Sequence, residues 1–306
     1  MIKIIGYIKD YFVWINKIIL ALVTALAALL IYLNYHYGLE KWMTTKLSYP
    51  LPGYTGHYIL FLVAFALPYF FIAVFNKQNH FLQPKFILLL LLAPAIFAVK
   101  MALDIHFNVS TNFYADEYWN HVLYWPFRLM IIVTILFLTW KFIQPTQSFY
   151  GLTTKQFNWK PYATMLLIMI PLIAAASTQP DFLAMYPKMK MILPIPGDAN
   201  HKWFYKLLFE LAYGSDFISI ELFFRGFLIL AFVKYAGKDA ILPMACFYCT
   251  IHFGKPLGEC ISSYFGGLLL GIIIYNNRTI LGGLMVHLGI AWLMELGGYI
   301  GNTHFH

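Results

Sequence analysis

Charge is scarce in this 306-residue chain: 11% of its residues are Asp, Glu, Lys or Arg, while 61% are hydrophobic. A water-facing globular surface draws on about a quarter charged residues, so a soluble cytosolic or secreted enzyme is excluded. Cysteine is equally sparse. Cys246, Cys249 and Cys260 all lie in apolar segments, follow no pattern of extracellular pairing, and are read as reduced. There is no tandem repeat, no low-complexity segment, no GxGxxG or Walker-type phosphate loop, and no HExxH helix. The net charge of +8 comes from 21 Lys and Arg scattered in ones and twos, which gives no patch for nucleic acid.

Long apolar runs are abundant instead. Those that fit bilayer-spanning helices are Ile18 to Tyr35, His57 to Asn76, Phe86 to Leu103, Val122 to Phe142, a short Thr164 to Ser177, Trp203 to Tyr235, Ala240 to His252, Gly258 to Ile274 and Thr279 to Tyr299. The expected fold is an all-α, polytopic integral membrane bundle of about eight or nine transmembrane helices. Long loops fall at Trp42 to Gly56, which includes Pro50, and at a proline-rich Thr178 to Lys202. The second loop separates an aromatic N-terminal half from a C-terminal half with nearly all the buried acids and histidines. Residues 1–150 are expected to be N-terminal transmembrane helices and loops, and 151–306 a C-terminal helical core with its polar motifs within 203–299.

The opening stretch carries Lys3, Lys9 and Lys17 and has no small-residue cleavage site, so it reads as an uncleaved anchor. A cytoplasmic N-terminus also places Lys77, Lys85, Lys141, Lys155, Lys160, Lys234, Lys238 and Arg278 inside, as the positive-inside rule prefers. The acidic loop from Asp104 to His121 suits the external side.

An ionisable residue at membrane depth costs roughly 2.5 to 3.5 kcal/mol on insertion scales, so each one calls for a partner or a function. Glu210, Asp216, Glu221, Arg225, His252, Glu259, His287 and Glu295 concentrate in the C-terminal third. Glu221 and Arg225 stand four apart, which on a helix puts them on one face as an ion pair. That pairing is structural in one reading; in another it holds Glu221 ionised as a general base acting on water. His252 ends an apolar run just before Phe253-Gly254-Lys255-Pro256, a turn that water can reach. Glu259, Ser263, Gly267 and Gly271 repeat every four residues, as do Gly283, His287, Ala291 and Glu295, forming two seams for close helix approach. Cys246, Cys249 and His252 at spacing three read as interface packing rather than a soft metal site. Lys100 and Arg128 are expected to snorkel or to pair with an acid.

The ordered set Glu221-x-x-x-Arg225-Gly226, His252 and His287 resembles the CPBP family of intramembrane proteases, which includes the CAAX prenyl endopeptidases and bacteriocin-processing or immunity-associated proteins. The resemblance covers about Trp203 to Tyr299. Three positions depart from the family pattern: Ile220 stands at the first glutamate, Tyr248 at the phenylalanine, and Ala291 at the final amide or acid. The resemblance implies an endopeptidase in which Glu221 or Glu259 acts with His252 to activate water, His287 stabilises the oxyanion and Arg225 supports Glu221. Loss of one oxyanion donor costs about 2.7 to 4 kcal/mol of transition-state stabilisation, so Ala291 is a consequential departure. The expected partners are membrane lipid and a peptide or lipidated protein, in a bacterial cytoplasmic membrane. Metal-free chemistry is the expectation, with zinc on Glu221, His252, Glu259 and His287 left open. Two other readings stand beside it: a non-catalytic immunity or assembly factor, and a proton-coupled transporter using Glu221, Glu259, Glu295 and the histidines.

Overall fold

The computed structural model describes residues 2–47, 49, 52–76, 83–144, 149–155, 157–192, 194–195 and 202–304. Lys77, Pro50 and positions 193 and 196–201 of the proline-rich stretch lie outside the described residues. The helices in chain order are α1 Ile2–Trp14, α2 Lys17–Tyr37, α3 Leu39–Lys46, α4 Tyr54–Phe75, α5 Pro84–Ala102, α6 Phe113–Ile143, α7 Lys160–Ala176, α8 Pro180–Met185, α9 Lys202–Glu221, α10 Val233–Ala236, α11 Ile241–Thr250, α12 Leu257–Asn277 and α13 Leu281–His304. A π-helical segment, Leu222–Ala231, follows α9 directly, and 3₁₀ turns cover Lys188–Ile192 and Gly237–Ala240. No strand occurs among the described residues. The regular structure of the described residues is all-helical, as the apolar runs predict.

Local chemistry accounts for the helix ends. Asn16 caps α2 by accepting the Ile18 N–H at 2.9 Å, which satisfies a donor the first turn leaves over. The same helix stops at Gly38, whose φ of 66° suits glycine and returns its N–H to the Asn34 carbonyl.

Among the described residues, six helices are long and apolar enough to cross a membrane: α2, α4, α5, α6, α12 and α13. A seventh span arises if α7 and the Pro180–Ile192 segment, bent by 97° to each other, count as one. The structure thus does not reach the expected eight or nine, and the missing spans have physical explanations. The run Trp203 to Tyr235 divides into α9 and the π segment, and α9 carries Lys202, Lys206, Glu210, Asp216 and Glu221. The run Ala240 to His252 yields only the ten residues of α11. Ten helical residues rise about 15 Å, half of a hydrocarbon core of about 30 Å. These lengths and compositions fit a multi-pass membrane protein.

The chain forms two compact units. The first comprises residues 1–103, 135–156 and 222–280; the second comprises 104–134, 157–221 and 281–306. Each draws on both halves of the sequence.

In the first unit α11 is a buried rod, every one of its ten residues enclosed. Aromatic rings surround it: Phe61 lies 4.8 Å and Phe224 5.2 Å from Phe247 between centroids. Lys100 does not snorkel here. It is 2% exposed, with Nζ 5.3 Å from the Phe97 ring centre. Arg128, in the second unit, lies with Cζ 4.8 Å above the Tyr124 ring, so in both cases an aromatic face receives the cation.

In the second unit α13 packs on α7, α8 and α9. Tyr118 and Phe209 are fully buried in one cluster, and Ile173, Phe182 and Tyr186 form another.

Candidate functional site

Glu221 is the last residue of α9 and is completely buried. Its Oε1 lies 3.0 Å from Nδ1 of His287 on α13. A carboxylate oxygen only accepts, so a neutral His287 donates from Nδ1, which makes Nε2 the acceptor nitrogen of the ring. The imidazole stands edge-on to Phe217, one turn before Glu221, with 4.7 Å between ring centres. Tyr213, Phe217 and Ala291 form the adjoining buried cluster, with Ile220, Leu284, Leu288 and Trp125 packed against it. The pair therefore sits in apolar surroundings, where a hydrogen bond to a carboxylate is electrostatically stronger than in water.

The four-residue stripe of α13 forms a contact face, with a different task at each level. His287 bonds Glu221, Ala291 fills the aromatic cluster, and Glu295 accepts the backbone N–H groups of Lys188 and Met189 at 2.7 and 3.4 Å. Glu295 thus holds the start of the 3₁₀ turn, whose leading donors need an acceptor.

The first unit holds the other motif residues. Arg225 lies in the π segment, 1% exposed, with Cζ 4.0 Å above the Tyr248 ring. His252 falls in the turn after α11, as its flanking residues predict, and its Nδ1 is 3.0 Å from the Tyr248 carbonyl oxygen. A carbonyl accepts, so Nδ1 carries the proton here too. The rings of Tyr248 and His252 are 4.7 Å apart. Tyr248, one turn before His252, therefore engages Arg225 with its ring and His252 with both ring and carbonyl. Its role was only partly legible: Tyr248 marks a motif position, but the spacing along α11 does not reveal that Arg225 covers it.

Gly226 follows the arginine because space requires it. A Cβ there would lie 2.7 Å from the Tyr150 carbonyl oxygen. The seam predicted on α12 also forms, with Gly267 facing Tyr248 and Ala245. Glu259, at the head of that seam, accepts from Lys255 Nζ at 2.6 Å, a four-residue bridge within the α11–α12 turn.

The structure thus brings together Glu221 with His287 in the second unit, and Arg225, Tyr248 and His252 in the first. Among the described residues, no three His, Cys, Asp or Glu side chains are grouped so as to hold a metal ion.

No curated protein and no solved structure matches the chain. Residues 204–293, which contain Glu221, Arg225, His252, Glu259 and His287, match the family described as Type II CAAX prenyl endopeptidase Rce1-like, consistent with the CPBP resemblance of the motifs.

Proposed function

We propose that the protein is an intramembrane endopeptidase of the CAAX-protease type, acting on a peptide bond of a membrane-associated or lipidated substrate. The observation that carries this reading is the buried Glu221–His287 pair, 3.0 Å apart, inside the matched segment. A carboxylate bonded to Nδ1 orients an imidazole and stabilises its protonated form, leaving Nε2 to take a proton. In the proposed step, Nε2 of His287 removes a proton from water as the water oxygen adds to the scissile carbonyl carbon. The resulting imidazolium then returns that proton to the amine nitrogen as the C–N bond breaks, and Glu221 stays ionised throughout. His287 becomes the proton carrier and Glu221 its anchor, which revises the division of labour implied by the family resemblance. His252 has the same proton pattern, with Nδ1 held by a carbonyl. In this reading His252 and Arg225 take the parts that the family resemblance implies, and Glu259 stands as the alternative carboxylate.

A second reading, a non-catalytic immunity or assembly factor, draws on one specific observation. Ile220 and Ala291, the departures from the family pattern, both pack into the apolar cluster beside the pair. That packing takes the place of two polar groups the family uses.

One experiment separates the two readings. Purified protein in liposomes is incubated with membrane-anchored and prenylated peptides, alongside Glu221→Gln. Cleavage by the wild type that the substitution abolishes supports the peptidase. A wild type that cleaves none of these peptides, at any stage of the incubation, favours the binding role.

A further inference from the structure

Cys249 lies in the last turn of α11 and Cys260 in the first turn of α12, and their sulfurs are 3.8 Å apart. Both are buried, at 1% and 0% exposure. The contact is reciprocal: Cys249 Sγ lies 3.5 Å from the Cys260 carbonyl oxygen, and Cys260 Sγ lies 3.7 Å from that of Cys249. All three cysteines are free thiols. A disulfide has an S–S length of about 2.05 Å, so the two sulfurs need to close by about 1.8 Å.

We propose that Cys249 and Cys260 form an oxidisable dithiol, a covalent modification site whose disulfide would clamp the α11–α12 turn that carries His252. The two thiols form one S–S bond and give up two hydrogens, as two protons and two electrons. A small azo-type oxidant accepts both across its N=N bond and leaves as the hydrazine. Burial selects small, lipid-permeable oxidants over bulky thiol reagents, because the sulfurs present no surface to a large partner. The consequence for the chain is mechanical: residues 250–259 become a closed loop, with fewer conformations available once unfolded.

The full-length protein in membranes is treated with diamide, denatured, blocked with N-ethylmaleimide, and digested with chymotrypsin, which cuts after Phe253 between the two cysteines. Non-reducing mass spectrometry should then find a cross-linked peptide pair, lighter by two hydrogens than the sum of its reduced members, with Cys246 alkylated. Cys246→Ser should leave the cross-link intact, and either Cys249→Ser or Cys260→Ser should remove it. Recovery of both Cys249 and Cys260 as alkylated thiols after diamide, or a cross-link that joins Cys246 equally well, would overturn the proposal. This readout does not depend on peptidase activity.

Discussion

A carboxylate with no exposed surface is costly to keep ionised, and the partner it finds decides what it can do. Glu221 finds His287, and the hydrogen bond sets the imidazole tautomer as well as its direction. Glu221→Gln keeps the volume and a hydrogen-bonding oxygen but removes the charge. It should lower the cleavage rate by about 10³-fold or more, while thermal or denaturant unfolding shifts by no more than about 1 kcal/mol. An unchanged rate in a folded variant would remove Glu221 from the mechanism. His287→Ala differs, because it takes away the imidazole bonded to a buried carboxylate, and should cost about 3 to 5 kcal/mol in an unfolding measurement. Tyr248 offers a cleaner division of roles. Its ring lies under Arg225 and against His252, so Tyr248→Phe should unfold within about 1 kcal/mol of wild type, whereas Tyr248→Ala should lose about 3 to 5 kcal/mol.

At the scale of elements, the π segment after α9 stands out. Such segments are rare and widen the helix locally, so residues after Glu221 do not keep the α-helical phase that four-residue spacing assumes. The close approach of this segment to Tyr150 requires Gly226. Gly226→Val should therefore destabilise the protein by about 1 to 3 kcal/mol, read as a lower unfolding midpoint, through displacement of a backbone carbonyl that has little freedom to move. The two small-residue seams were readable from spacing alone, because period four on a helix defines a face whatever that face meets. The assignments of Glu295 and Glu259 to backbone and lysine partners were not. Lys188–Met189 shows no pattern that marks it as a donor, and Lys255, though four residues before Glu259, lies in a turn ahead of the helix, where four-residue spacing does not by itself define a face.

For the molecule as a whole, the six or seven helices able to cross a membrane among the described residues should make the chain behave as an integral protein. After an alkaline carbonate wash it should stay with the membrane pellet and enter solution only with detergent. Release by carbonate would show that these helices are buried against protein rather than lipid. Hydropathy overcounts spans here because apolar character alone does not separate a lipid-facing helix from a buried one. α11 is as apolar as a span but about half the needed length, and protein encloses all of it.

Composition pointed to the membrane, since residues with so little charge cannot cover a water-facing surface, and the length of the apolar runs pointed to helices that close their own backbone hydrogen bonds. Spacing determined which acids and histidines share a helix face and which family the C-terminal motifs resemble. Tertiary structure decided the partners: Glu221 with His287, sixty-six residues apart, Arg225 over Tyr248, and Cys249 against Cys260. Periodicity along one helix specifies a direction, whereas a pair also needs the packing of a second segment, and that depends on side-chain volumes summed over the entire core.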